Sequence, residues 1–291
     1  MAKPPLKGKG AALGILILLV ATYLAVVWVY FAEEGSRRAN VVESAGSQKA
    51  ADRLDITAGI IAVDLQKETV ELRLDLVPHG NLAMPDGRLA RALVLRTTGI
   101  SGDAIELPAG QRPVARDVVF DLHSGEVTDY PFDSHHSLIE FEATAADDKD
   151  AGPVAAEIDF YAYHHGLDIT LEPIERDSAG YIGFDATIQR SRLVKSVAIF
   201  CMLVMWGLAL SSALVLWSAI SHGREMDSGH LALLSGLIIA LYFFRAGLPD
   251  TPATIGTLSD YLAFFWAEAI VSLVTIVYTW LWFKRGKDRQ S

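Results

Sequence analysis

Between Ser196 and Ile220 the chain runs through 25 residues without one charged side chain. That run restricts the fold more than any other feature, because about 20 helical residues cross a hydrocarbon layer of roughly 30 Å. Three further runs share its character. Ala11 to Ala32 and Leu231 to Phe244 carry no charge, and Tyr261 to Phe283 carries only Glu268. The shortest reaches spanning length when taken as Ser228 to Leu248, which sets Arg245 near one membrane face. A positive mean hydropathy over 291 residues, 51% of them hydrophobic, agrees with apolar surface kept away from water. Four transmembrane helices are expected, at residues 11–32, 193–220, 228–248 and 261–283.

The first run follows a basic leader, residues 1–10 with Lys3, Lys7 and Lys9. A secretory signal has an apolar region of roughly 7 to 15 residues and a small-residue cleavage site. Here the run is longer and continues through Tyr23, Trp28, Tyr30 and Phe31 to Glu33 and Glu34, so it reads as an uncleaved anchor. Cytoplasmic segments are enriched in Lys and Arg. With four helices, the leader, the loop 221–227 with Arg224 and the tail 284–291 with Lys284, Arg285, Lys287 and Arg289 all fall on one side. The expectation is a multi-pass plasma-membrane protein with both termini cytoplasmic and residues 33–192 extracytoplasmic. That outer segment holds 29 Asp or Glu against 15 Lys or Arg, a formal charge of −14. Such a surface argues against nucleic acid and anionic headgroups as its ligands. Membrane lipids around the helices and a membrane-protein partner remain. The single cysteine, Cys201, lies inside an apolar run and leaves the outer domain without a disulfide.

Residues 33–55 are polar and lack alternation, which reads as a stalk. Beyond it, Val70, Leu72, Leu74 and Leu76 alternate with Glu71, Arg73 and Asp75, the period of a strand with one buried face. Ala156 to Ala162 and Ile182 to Ile188 repeat the pattern, and weaker versions occur at 56–63, 89–96, 118–122, 138–143 and 168–171. Turn signals such as Pro78-His79-Gly80-Asn81 and Pro85-Asp86-Gly87 separate them. Seven or eight short strands across residues 56–192 describe an antiparallel β-sandwich. The fold class is therefore α+β, an outer sandwich with one helix before it and three after, and residues 249–260 form an outer loop.

Glu268 is the most conspicuous polar residue. It lies roughly 10 Å below the outer interface if its helix starts at Tyr261 and rises ~1.5 Å per residue. A carboxylate at that depth is costly unless it is neutral, paired or beside water. Helical spacing puts Glu268, Ser272, Thr275 and Thr279 on one face. Three readings are open: an ion pair with Arg245 that locks the helix hairpin, a proton or solute pathway, or contact with a partner helix. Small residues four apart, at Ala21/Ala25, Gly207/Ser211, Ala209/Ala213 and Gly236/Ala240, suit close helix packing. The pairs His135-His136 and His164-His165 put adjacent residues on opposite strand faces, which argues against a common metal site. Asp147, Asp148 and Asp150 are interrupted by Lys149 and do not have calcium-loop spacing. No nucleophile, phosphate-binding or dinucleotide motif is present. The expectation is a non-enzyme with no cofactor, metal or catalytic residue.

Two segments carry a family resemblance. Asp129-Tyr130-Pro131-Phe132-Asp133 after Gly125-Glu126-Val127, and Arg245-Ala246-Gly247-Leu248-Pro249-Asp250-Thr251-Pro252-Ala253-Thr254-Ile255-Gly256 running on to Asp260 and Phe265-Trp266-Ala267-Glu268, resemble actinobacterial membrane proteins with the "domain of unknown function 4436". The resemblance implies coverage of nearly the whole chain and a mycobacterial-type cell envelope, in which some small membrane proteins are accessory subunits of lipid-import complexes. Pro249, Asp250, Pro252, Gly256 and Asp260 are the outer-loop residues it singles out. Tyr130-Pro131-Phe132-Asp133 also resembles the aromatic-Pro-Phe-Asp loop by which β-sandwich domains of pentameric ligand-gated channels touch their helices. Without that family's flanking cysteines and helix order, the likeness implies only a domain–membrane coupling loop. In it Pro131 fixes a turn, Phe132 buries and Asp133 accepts hydrogen bonds. The function expected is an accessory or scaffold subunit of a cell-envelope membrane complex, with lipid transport as its setting. The alternative is a small channel or carrier using Arg245 and Glu268.

Overall fold

The computed structural model describes residues 42–46, 50–146, 152–176, 178–222 and 227–288, and in the N-terminal stretch residues 14, 17, 20–21, 23–25 and 27–32. The basic leader, Arg224, the acidic residues Asp147, Asp148 and Asp150, and Arg289 lie outside the described residues. The chain divides into two compact units, one of residues 1–126 with 134–193 and the other of residues 127–133 with 194–291.

The first unit contains ten strands: β1 (Val42–Gly46), β2 (Leu54–Asp64), β3 (Thr69–Pro78), β4 (Leu93–Thr97), β5 (Ala104–Leu107), β6 (Arg116–Asp121), β7 (Ser134–Ala145), β8 (Ala156–Tyr161), β9 (Leu167–Ile174) and β10 (Tyr181–Arg190). They form two five-stranded sheets, ordered β1-β8-β2-β3-β6 and β5-β4-β7-β10-β9. Pairing is antiparallel except for β2 with β8, where Leu54 faces Ala156 and Gly59 faces Tyr161 in parallel. Strands far apart in sequence meet in that pair, and a parallel neighbour needs such a long connection.

Alternation decides which faces are buried. On β3, Val70, Leu72, Leu74 and Leu76 are buried while Arg73, Asp75 and Val77 are exposed. The inner faces meet through rings: Phe120 of one sheet lies edge-on to Phe141 of the other at 5.8 Å, and Phe160 to Phe184 at 5.5 Å. Each fully buried Phe contributes roughly 1.5–3 kcal/mol through area alone, and an edge-to-face pair adds about 0.5–1.5. The sheets thus pack face to face.

Two strands were not legible. β1 lies in the segment expected to be a stalk, because Val-Glu-Ser-Ala-Gly has almost no apolar pattern and is held by its backbone register against β8. β5 has four residues, too few to display a period, and pairs with β4. β2 carries an irregularity between Ile60 and Ala62 that leaves Ile61 exposed. Of the histidines, His135 is buried and its neighbour His136 is exposed, the alternation a strand imposes.

The second unit holds α1 (Arg192–Ser221, entered from the first unit), α2 (Ser228–Ala246) and α3 (Phe265–Asp288), and a π-helical turn over Asp260–Phe264 leads into α3. Three helical spans, Arg192–Ser221, Ser228–Ala246 and Asp260–Arg285, are long and apolar enough to cross a membrane. α2 ends two residues before Leu248; its last turn closes with the Gly247 amide donating to the Phe243 carbonyl at 2.9 Å. Met202, Met205 and Ala209 of α1, Leu241 of α2, and Ala267 and Val271 of α3 share one core. Of the small-residue pairs, Ala209 faces this core, whereas Gly207 and Gly236 point into open space. Of the expected first span, the described residues are helical, and its apolar helix Tyr23–Ala32 is too short by itself to cross a bilayer.

Two outcomes check the packing of the first unit. Phe184→Ala removes a fully buried ring and is expected to cost about 3–5 kcal/mol, read as a lowered denaturant midpoint, whereas exposed Val77→Ala should move it by about 0.5 kcal/mol or less. The Tyr181 hydroxyl donates to Glu140 Oε1 at 2.6 Å, and burial together with that acceptor pushes its pKa up to about 12. The proton is held more tightly folded than unfolded. This contribution is therefore complete below pH ~10 and lost as pH rises through about 12. Ultraviolet titration of the parent should contain a late tyrosine component that Tyr181→Phe removes.

Candidate functional site

α2 ends and α3 begins with opposite charges. Arg245 lies in the last turn of α2, where a cation complements the helix dipole, and Asp260 lies in the opening turn that leads into α3, where an anion does. Their side chains are 9% and 0% exposed. Arg245 Nε donates to Asp260 Oδ1 at 3.1 Å and an Nη2 donor reaches Oδ2 at 3.2 Å, a forked pair. The same Nη2 reaches the carbonyls of Thr254 at 2.8 Å and Pro252 at 3.3 Å. Asp260 Oδ2 also accepts the amides of Gly256 at 2.9 Å and Thr257 at 3.0 Å. Gly256 holds φ at +108°, a backbone that side-chain-bearing residues rarely adopt, so its amide is presented only by glycine without strain. Thr257 and Ser259 bond through their hydroxyls at 2.9 Å. One ion pair thus organises the whole loop between the helices.

Segment 127–133, drawn from between β6 and β7, groups with this unit. Tyr130 is fully buried among Val194, Ala198 and Leu248. Its hydroxyl donates to the Pro249 carbonyl at 2.8 Å, and its own carbonyl accepts the Ser259 amide at 3.2 Å. The Tyr130–Pro131 peptide is cis. Asp133 is buried, while Phe132 is 48% exposed. The expectation that Phe132 buries is therefore corrected: Tyr130 is the anchor, because its ring fills the apolar pocket while its hydroxyl finds an acceptor.

The expected Arg245–Glu268 pair is also corrected. Asp260 meets Arg245 at the helix ends, and Glu268 lies eight residues further along, about 12 Å down the axis. Among the described residues Glu268 has no hydrogen-bonding or ionic partner, and it is half-buried. Ser272, Thr275 and Thr279 are half-buried on the same flank, and the hydroxyls of Thr275 and Thr279 donate to the Val271 and Thr275 carbonyls of their own helix at 2.7 Å. Pro249, Pro252, Gly256 and Asp260 are brought together with Arg245 and Tyr130; Asp250, exposed with φ at +51°, shapes the turn. Thr257 and Ser259 escaped sequence reasoning, although an Arg ending one helix and an Asp opening the next was a usable signal.

With four hydrogen bonds on the Asp260 carboxylate and two loop carbonyls on the Arg245 guanidinium, this cluster holds structure together. Among the described residues no three of His, Cys, Asp and Glu converge as metal ligands.

A domain of two facing, mostly antiparallel sheets followed by three helices of membrane-spanning length defines the class of protein. Residues 44–188 match the family described as a domain of unknown function (DUF4436), and residues 190–285 match a second domain of unknown function (DUF8686). The chain therefore carries the 4436 domain, and the resemblance is narrower than its segments implied: Arg245 to Glu268 falls in the second match. No curated protein matches the chain.

Removing one partner of a buried ion pair strands the other and costs about 3–5 kcal/mol. Asp260→Ala should lower the denaturation midpoint of the detergent-solubilised chain accordingly, with Glu268→Gln within about 0.5 kcal/mol of the parent. Equal losses would show that Arg245 depends on Glu268.

Proposed function

We propose that this chain is a non-enzymatic, multi-pass plasma-membrane protein that acts as an accessory or scaffold subunit of a cell-envelope membrane complex, of the kind that serves lipid transport. The carrying observation is the clasp. Its polar groups are committed to holding the helix hairpin, the loop between helices and the 127–133 segment in one arrangement. Such an arrangement suits a part that presents a surface. Segment 127–133 then works as a coupling loop, linking what the β-rich unit binds to the position of the helices.

Large apolar side chains turned outward, among them Leu203, Leu214, Trp217, Leu273 and Ile276, each more than 60% exposed, support insertion in lipid. At the end of α3, Lys284 lies over the Trp280 ring at 5.4 Å, and Arg285 donates to the Ala219 carbonyl at 3.3 Å. Cations and a tryptophan at one helix end suit the cytoplasmic headgroup level, which supports reading the acidic β-rich unit as extracytoplasmic. The resemblance in residues 125–133 and 245–268 supports an actinobacterial setting.

A channel or carrier is the second reading, and half-buried Glu268 without a partner among the described residues favours it. The readings separate on purified chain. A scaffold should leave mild detergent in a stoichiometric complex with another membrane protein and carry no solute flux in proteoliposomes. A monomer whose flux is abolished by Glu268→Gln would establish the carrier. For orientation, Asp75→Cys in a Cys201→Ser background should react with an impermeant maleimide on intact cells, and Lys284→Cys should not.

A further inference from the structure

We infer that the flank of α3 bearing Glu268, Ser272, Thr275 and Thr279 is the docking face for a transmembrane helix of a different protein, one that presents a Lys or Arg at the depth of Glu268. This rests on the membrane reading above and names the partner's chemistry.

Among the described residues, depth excludes a cation from within the helical unit. The Trp206 indole N–H donates to the Leu262 carbonyl at 2.9 Å, so Trp206 on α1 is level with Leu262 in the π-helical turn that leads into α3. Both helices run the same way, which puts Glu268 level with Ser212, whose hydroxyl bonds the Ala209 carbonyl at 2.7 Å. Arg245 is consumed by Asp260, about 12 Å away along the axis. Lys284 and Arg285 lie 16 and 17 residues beyond Glu268, roughly 24–26 Å further. On α2 the residues near the level of Glu268, Leu237 to Ala240, are uncharged.

Two other occupants fail on charge. The N-terminal run Ala11–Ala32 contains no cation. A second copy of the chain would set one Glu268 against another, with Arg245 already engaged.

The flank itself is built for a helix. Glu268 to Thr279 spans about 16 Å along the axis, and wheel positions set it between the buried face, Ala267, Val271 and Tyr278, and the exposed face, Ala269, Leu273, Ile276 and Trp280. Thr275 and Thr279 satisfy their hydroxyls on their own backbone, so they ask nothing of a neighbour. Among the described residues Glu268 has no partner on this flank, and a carboxylate facing hydrocarbon is costly until it meets a cation.

The full chain, reconstituted in zwitterionic lipid nanodiscs, can be titrated with a fluorescent Leu/Ala transmembrane peptide carrying one central Lys, and with the same peptide carrying Leu there. Energy transfer should report roughly tenfold tighter association of the Lys peptide. Glu268→Gln should reduce that preference to about twofold or less while leaving the Leu peptide unchanged. Equal binding of both peptides, a preference that survives Glu268→Gln, or association of the chain with itself through Glu268 would each overturn the inference. Alkaline carbonate extraction of the same chain from vesicles keeps the outcomes apart: a chain that washes off has failed the membrane reading, whereas a chain that stays and ignores the Lys has failed this one.

Discussion

The ion pair between Arg245 and Asp260 is the constraint on which the second unit depends. Two charges removed from water are costly, and mutual attraction repays that only when the remaining donors and acceptors are also used. Here they are used on backbone: two carbonyls on the guanidinium and two amides on the carboxylate. The loop is folded by its own charges, since residues 247–257 form only turns and bends, with no helix or strand that would fix them. Once fixed, it offers the Pro249 carbonyl and the Ser259 amide to Tyr130. A local electrostatic choice at two helix ends thereby decides where a segment from between β6 and β7 rests.

Sequence and structure agree where a period was strong. Val70 to Leu76 and the long apolar runs at 196–220 and 261–283 announced a strand and two helices because burial repeats every second residue in one and apolar side chains cover nearly the whole circumference of the others. β1 was hidden because backbone pairing with β8, rather than side-chain burial, holds it. The parallel contact of β2 with β8 was hidden for a related reason: alternation shows which face is buried but says nothing about the neighbour or its direction.

The site was legible in its members and illegible in its pairing. Arg245, Asp260, Gly256 and Tyr130 all stood out in the sequence, yet depth along a helix pointed Arg245 at Glu268. The correct partner was the acid that opens α3. Helix spacing counts residues within one element, and the loop between two elements decides which charges are level. Phe132 misled in a similar way. Its size suggested burial, but a tyrosine can fill an apolar pocket and still satisfy its hydroxyl, and Tyr130 occupies that place.

The account's central claim is that one buried ion pair holds both the loop between the helices and segment 127–133. Hydrogen–deuterium exchange on the full chain in nanodiscs, parent against Asp260→Ala, tests it most directly. Peptides covering residues 127–133 and 247–259 should be protected together in the parent and lose protection together in the variant, while β3 and β10 keep theirs. Persistent protection of residues 127–133 once the 247–259 loop has opened would contradict it.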